Sequence, residues 1–435
     1  MDECIIFIVK SCCDNKEQAQ HNYMPPLGIM SIANTLRVHG YRIIVLDFSE
    51  ANYEMPEISK IIDECKPIYI GFSVYTENVN NILVMCKYLK KQYKDIPLVL
   101  GGPHATLDPE YCKRKRFVDF IVQGEGERNL LELAEAIRTK QKLIKFDEIQ
   151  GLIYVSEDGV YTNGPESIFI DNLDLLPIIN RDYLSKCFTA SLPTIYSSKG
   201  CPGKCIYCAA PAMSGTKYRI RDIDNVFLET LYLHSVCENY DQIFYCDDTF
   251  TVFNKRLERF AELCQKSSVK FKWRCESRVD SLFRNYYLLP VLKAAGCCRI
   301  QFGIESGNQT VLTNIRKEMQ LSQAHDIIEK TVKTGIHVVT SFIFGHYCDT
   351  ISSMEDTLSL MEHLKSRYAD MIEIAYALNT PFPGTYQYEH REELGLNLKI
   401  NNFAELDMYG AVVEGVNFKT EDLQNFNHRA AKIYN

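Results

Sequence analysis

Apolar and polar positions along the chain alternate in two long runs of strand-then-helix units. The first run predicts strands at residues 4–9, 42–48, 68–74, 98–102 and 119–124. Helical periodicity lies between and after them, at 26–38, 56–65, 78–93 and 129–138. Near-continuous apolar strands joined by helices imply an α/β fold, a doubly wound, flavodoxin-like or Rossmann-like sheet covered on both faces. Ligands then belong at the C-terminal ends of the strands. Residues 151–163 read as a hairpin turning at Asp158-Gly159, and 170–182 lack periodicity and read as a connector. The second run predicts strands at 194–198, 242–246, 270–275, 299–304, 338–344 and 371–378. Helices are expected at 226–236, 256–265, 287–295, 323–334 and 354–364, with a closing helix at 421–433. Six β-α units are too few for the eight of a closed barrel. The expected organisation is a first domain over 1–145, hairpin and linker over 146–190, a second domain over 191–385 and a helical tail over 386–435.

Composition changes this picture little. At 435 residues, with 46% hydrophobic and 24% charged, the chain is an ordinary globular one. A net charge of −8 argues against non-specific nucleic-acid binding, which needs a basic footprint. The apolar run from Ile5 to Val9 is too short for a membrane span or a signal core, so the expected location is the cytoplasm. Seventeen cysteines in a chain of this size read as reduced thiols rather than a disulfide framework. The pairs Cys12-Cys13 and Cys297-Cys298, and Cys246 and Cys275 inside apolar strands, read as small hydrophobes.

Three cysteines differ. Cys201-Pro-Gly-Lys-Cys205-Ile-Tyr-Cys208 gives the spacing C-x3-C-x2-C directly after a predicted strand. Three thiolates on an iron–sulfur cube leave one iron open. A closed zinc site would need a fourth ligand, and no further Cys or His stands at a usual spacing. The segment resembles the signature of radical S-adenosylmethionine (SAM) enzymes. That resemblance implies a [4Fe–4S] cluster on Cys201, Cys205 and Cys208. SAM would be chelated at the open iron and cleaved to a 5′-deoxyadenosyl radical. It also implies a partial (β/α)6 barrel, with Tyr207 against the adenine.

The first run lacks the G-x-G-x-x-G of a dinucleotide site; Lys10 to Asn15 follows its first strand instead. Its glycines come later, in Gly101-Gly102-Pro-His104-Ala-Thr106 and Gln123-Gly124-Glu125-Gly-Glu127, with Pro25-Pro26-Leu-Gly28 opening the first helix. Such loops admit a close ligand and present N–H groups at helix starts. In this order, upstream of the cysteine motif, they resemble the N-terminal domain of cobalamin-dependent radical SAM enzymes. Pro26, Gly28, Gly101, Gly102, Gly124 and Glu125 are then expected against cobalamin, as is the loop Ser73-Val-Tyr75-Thr76. No D-x-H-x-x-G is present, so no histidine of that motif would bind cobalt. Tyr75 stands as the candidate beneath the metal, against the plainer reading of a strand-end tyrosine. His104 is expected to hydrogen-bond the cofactor rather than ligate it.

In the second run the strand ends carry Cys246-Asp247-Asp248, Glu276-Ser-Arg278-Val-Asp280, Gly303-Ile-Glu305-Ser306-Gly307 and Thr380 to Thr385. By resemblance Asp248, Glu305 and Ser306 contact SAM, and Arg278 suits its carboxylate. The alternatives are that the paired aspartates cap the next segment and that Arg278 pairs with Asp280. The fifth strand runs on as Phe344-Gly-His346-Tyr-Cys348-Asp349 where the family usually has Gly-Leu-Pro-Gly-Glu. His346 there is a proton donor or acceptor, or simply part of a surface turn.

The resemblance implies an enzyme that methylates an unactivated carbon, with cobalamin as methyl carrier. Two alternatives stand beside it: a radical rearrangement or cyclisation without methyl transfer, and a cobalamin-binding sensor with a structural cluster. The implied partners are a small-molecule or peptide substrate and an electron donor such as flavodoxin or ferredoxin.

Overall fold

The structure, a computed structural model, describes residues 3–9, 24–49, 51–114, 117–185 and 192–434. The Lys10–Asn15 segment and the Cys12-Cys13 pair lie outside them. The chain divides into two compact units, Met1–Pro193 with Val236–Tyr240, and Thr194–Ser235 with Asp241–Asn435.

In the first unit, β1 (Cys4–Val9), β2 (Arg42–Asp47), β3 (Tyr69–Ser73), β4 (Leu98–Gly101) and β5 (Phe120–Val122) form a parallel sheet in the order β2-β1-β3-β4-β5. Every residue of β1 and β3 is buried, as expected for strands with helices on both faces. Those helices are α1 (Leu27–Val38), α2 (Met55–Cys65), α3 (Val79–Gln92) and α4 (Gly126–Arg138). The hairpin is not a separate connector piece. Its strands β6 (Leu152–Val155) and β7 (Tyr161–Asn163) continue the sheet, β6 pairing antiparallel with β5 so that Val122 faces Leu152. β5 is only three residues long, and the hairpin covers the edge it would otherwise expose.

In the second unit, β8 (Thr194–Ile195), β11 (Ile243–Tyr245), β12 (Trp273–Ser277), β13 (Cys297–Glu305), β14 (His337–Phe344) and β15 (Ile372–Leu378) lie in chain order, all parallel. This is the open six-stranded barrel expected. Between β8 and β11, β9 (Ser198–Lys199) pairs antiparallel with β10 (Arg219–Ile220), closing residues 200–218 into a loop. Side chains alternate along β12 and most of β13. On β12 Trp273, Cys275 and Ser277 are buried, while Arg274 and Glu276 keep partial exposure. β13 repeats the pattern from Ile300 to Ile304. One face is therefore a packed core, and the opposite, inward face stays reachable by solvent.

The expected strand at 270–275 begins later, at Trp273, and the expected helix at 287–295 is a tight turn at Tyr286–Leu288 followed by a short helix Leu289–Ala294. Residues 386–435 hold more than a helix. A short antiparallel pair, β16 (Asn397–Leu398) with β17 (Val413–Glu414), precedes the closing helix Thr420–Tyr434. Phe426 of that helix stacks on Phe344 at 5.7 Å. Among the described residues no helix is long and apolar enough to cross a membrane.

Trp273, the chain's one tryptophan, centres the packed face. It is fully buried, with Phe260 at 5.4 Å and Tyr245 and Phe250 at 5.6 Å, and its Nε1 donates to the Ala295 carbonyl at 2.9 Å. Trp273→Ala is expected to destabilise the second unit by about 3–5 kcal/mol. Guanidinium unfolding followed by circular dichroism measures this, and a loss below about 1 kcal/mol would show that the cluster does not hold the unit together.

Candidate functional site

The C-terminal ends of the first unit's strands are tied to one another by side chains. His104, fully buried in the turn after β4, places Nδ1 3.2 Å from Thr76 Oγ1 of the loop after β3. Its amide donates to the Val74 carbonyl at 2.9 Å. Gly102 makes this approach possible: at φ +94 a Cβ would stand 3.0 Å from both Ser73 Oγ and Val74 N. Thr106 then accepts from the Gly124 amide at 3.0 Å, joining the loop after β5. Glu127 accepts from Ser31 Oγ of α1 at 2.9 Å, and Glu125 accepts from the Ile170 amide at 2.7 Å.

Pro26, Gly28, Ser73, Thr76, Gly101, Gly102, His104, Gly124 and Glu125 thus share one end of one sheet. A Cβ on Gly28 would meet nothing within 4 Å, and one on Gly101 only the Val122 carbonyl at 3.8 Å. Packing does not require those two glycines, and the open space beside them suits a large ligand. Tyr75 is 40% exposed at the same end, and its amide donates to Asn78 Oδ1 at 2.9 Å. Thr106 and Glu127 fall in the two glycine motifs, but Ser31, which binds Glu127, was not singled out from sequence; nothing local marks a residue whose partner lies far along the chain.

In the second unit, Cys201, Cys205 and Cys208 lie on the loop closed by β9 and β10. All three are free and partly exposed, whereas seven of the fourteen described cysteines are buried. Burial pushes the Cys208 thiol up to about 12, against the Ala210 amide, which donates to its Sγ at 3.4 Å. Burial raises the Cys201 thiol as well, opposed by the Gly203 amide and Arg278. Thiolates there need a nearby cation, which cluster iron provides. Among the described residues no three His, Cys, Asp or Glu side chains converge on a single metal ion. A cube spreads its ligands over separate irons, so a loop of three reachable thiols fits a cluster better than a mononuclear metal.

Around this loop the expected residues divide. Arg278 lies against it, its Nη1 where a Cβ on Gly203 would stand, so a larger residue there would push the guanidinium aside. Its Nε also donates to Asp280 at 2.8 Å, so the pairing with Asp280 is the reading the structure bears out. Glu305, at φ +71, is ion-paired with Lys317 at 2.8 Å, both side chains almost buried. Burial works to lower the Lys317 pKa and is outweighed by Glu305, so the ammonium persists. Ser306 is buried, 3.3 Å from Thr357 Oγ1 and accepting from the Asn308 amide at 3.1 Å, so its hydroxyl is occupied within the turn.

Asp247 is buried and accepts from the Ser197 amide and from the hydroxyls of Ser197 and Ser198; it fixes the preceding strand end rather than capping the following one. Asp248 beside it is exposed, with its pKa raised by surrounding protein and then by Asp247, as befits a carboxylate lining a concave surface. Glu276 joins the same inward face. Burial, then Asp248, pushes it up to about 7.

His346 is not on a surface turn. It is fully buried, with its ring 5.3 Å from that of Tyr207. Asp349, buried behind it, accepts from the amides of Gly345 at 3.0 Å and His346 at 2.9 Å and from Ser353 Oγ at 2.6 Å, holding the turn without a Pro-Gly pair. Neither ring nitrogen of His346 has a partner in hydrogen-bond geometry, although the Glu305 backbone faces it. Burial, then Lys317, pushes it down to about 3, so the ring is neutral. Lys317 itself was missed from sequence, where it sits in an unremarkable Arg-Lys-Glu stretch.

Residues 20–134 match the family model of the B12 binding domain, and residues 195–361 that of the radical SAM superfamily. The chain is 29% identical over 384 residues to an uncharacterized methyltransferase of Pyrococcus horikoshii, covering 87% of this chain and 80% of that one. It is 25% identical to the anaerobic magnesium-protoporphyrin IX monomethyl ester cyclase of Rubrivivax gelatinosus, covering 87% and 68%. Its fold is similar to that of the radical SAM methyltransferase TsrM from Kitasatospora setae, solved with cobalamin and a [4Fe–4S] cluster. The TM-score is 0.78 at 16% identity, over 100% of this chain and 89% of the other.

His104 supplies a test of the interlocked first-unit loops. Burial pushes its pKa down to about 4 from an ordinary 6.5. The unfolded chain therefore takes up the proton first as pH falls, and the stability due to the neutral ring is lost between about pH 6.5 and 4. Relative to His104→Gln, the wild type is expected to lose up to about 3 kcal/mol across that window. Hydrogen exchange of peptides spanning residues 69–106 measures it; parallel pH slopes in the two proteins would show that His104 does not govern the loops.

Proposed function

The chain belongs to the cobalamin-dependent radical SAM enzymes, whose cofactors are a [4Fe–4S] cluster, SAM and cobalamin, and from that premise we propose that it methylates an unactivated carbon of a small molecule. The supporting observation is the three-cysteine loop, reachable by solvent and set at the C-terminal mouth of an open parallel barrel, in a chain that also carries a B12 binding domain. When bound, the cluster supplies an electron, SAM the radical precursor and cobalamin a carrier for the methyl group.

The residues divide this work. Cys201, Cys205 and Cys208 hold three irons and leave the fourth for SAM. Arg278, pressed against Gly203, places a fixed positive charge beside the loop, where the SAM carboxylate needs one. Asp248 and Glu305 offer carboxylates to the ammonium and the ribose hydroxyls, with Glu305 held in place by Lys317. Tyr207 supplies an aromatic face for adenine, backed by the neutral His346 ring. In the first unit, the open space at Gly28 and Gly101, with Ser73, Tyr75, Thr76 and the loops that His104 locks, receives the corrin. An external redox protein such as flavodoxin or ferredoxin serves as electron donor, and the reaction takes place in the cytoplasm.

A second reading, radical cyclisation without methyl transfer, is favoured by the similarity to the Rubrivivax cyclase. Feeding methyl-labelled methionine to cells that make the wild type or the Cys201→Ala variant separates the two. Methylation predicts a labelled metabolite only with the wild type, together with 5′-deoxyadenosine from the purified, reduced enzyme. Deoxyadenosine without any labelled product would sink methylation in favour of cyclisation. Unaltered products in the variant with no deoxyadenosine from the wild type would sink both and leave a cobalamin sensor.

A further inference from the structure

The inward face of the second unit's sheet carries charge that radical initiation does not use. Along β12 to β15 it presents Arg274, Glu276, Arg299, Gln301, Ser341 and Glu373, each partly reachable by solvent. A face made to seat a lipid or to fill itself with side chains would be apolar. This one is mostly polar through its lower and middle levels, with Phe244 and Val339 as apolar interruptions.

Its two arginines differ. Arg274 and Arg299 are register partners on adjacent strands, so their side chains leave the sheet side by side. Arg299 pairs with Glu373 at 2.9 Å. Arg274 makes no hydrogen bond or ion pair to the described protein. Its guanidinium lies 4.3 Å from the Phe244 ring centroid, and its Nε is buried without a partner. Burial, then the like charge of Arg299, lowers its pKa. A buried donor on a charged group without an acceptor is costly. The ring packs against the guanidinium while its terminal nitrogens have no partner among the described residues, an arrangement open to recognition of an oxyanion.

We propose that Arg274 receives a carboxylate or phosphate group at the end of the substrate remote from the reacting carbon, so that the substrate is a small anionic molecule held along the inward face. Arg274 stands three residues before the C-terminal end of β12 at Ser277, which places the anchor on the order of 10 Å below the strand end that leads to Arg278. A molecule of several carbons spans that distance, and binding at its far end positions the reacting carbon without touching it. Glu276, one level higher and without an ion pair, lies along the path and suits a hydroxyl or amino group. The meaning of the anchor as a substrate site rests on the proposed function.

The test uses the full-length, anaerobically reconstituted enzyme. Sodium phosphate and sodium succinate are titrated by calorimetry at constant ionic strength into the wild type, Arg274→Lys and Arg274→Gln. Saturable binding of one anion is expected in the wild type, about tenfold weaker in Arg274→Lys and abolished in Arg274→Gln. Preference for phosphate identifies a phosphorylated substrate, and preference for succinate a carboxylic acid. Equal binding by the wild type and Arg274→Lys, or no saturable binding of either anion, overturns the proposal. The lysine variant keeps the charge and much of the stem, so the comparison holds even where the glutamine variant does not fold. Release of 5′-deoxyadenosine by the wild type, measured in parallel, reports on radical initiation separately: its absence with anion binding intact removes that reading, and the reverse result removes only the anchor.

Discussion

A buried carboxylate holds the point from which the chemistry is suspended. Asp247, at the end of β11, accepts from the Ser197 amide and the hydroxyls of Ser197 and Ser198, where the chain leaves β8 for the cysteine loop. Taking a carboxylate out of water is costly unless donors surround it. Burial duly raises its pKa, while Arg256 and the two serines oppose that rise. Arg256 also donates to the Ser197 carbonyl at 2.9 Å, so both backbone groups of Ser197 are fixed from the neighbouring strand and helix. The cysteine loop is thus anchored at its start by charge and closed at its neck by the β9–β10 ladder. That leaves its thiols reachable without leaving the loop free to wander.

The same construction explains why adjacent acids have opposite fates. Asp247 and Asp248 are indistinguishable by composition. The turn after β11 sends one side chain back into the protein and the other onto the open surface, so one is scaffold and the other is left exposed. From sequence, the pair could be located at a strand end but not divided. Glu305 shows a related limit. Its place at the end of β13 was legible, but its partner Lys317 follows a further helical turn, and only the folded chain shows that the carboxylate arrives already paired.

The strands were legible because their apolar runs are strong; β1 is found at its expected bounds, and most other strands within one or two residues. The cysteine motif was legible because its spacing is itself the chemistry. What escaped were features decided by distant contacts. The hairpin's membership in the first sheet depends on the free edge of a three-residue strand. His346 lies in a polar string, His-Tyr-Cys-Asp, that reads as a surface turn. It is buried because Asp349 turns the Gly345 and His346 amides inward and the ring comes to rest on Tyr207. A rule about residue type cannot anticipate that.

Arg274 and Arg299 carry the point furthest. Both follow the inward phase of the same alternation, so periodicity assigns them one face and one polarity. It does not assign them partners. Glu373 lies across two strands from one and forms a pair with it, while the other is left with an aromatic ring below and an open edge above. A fold can satisfy its own charges wherever geometry allows, and it does so for Arg299, Arg278 and Lys317 on this same surface. Among the described residues, Arg274 and Glu276 are thus the charges on this surface that the scaffold leaves without an ion pair, and they are the ones a ligand along the face would meet.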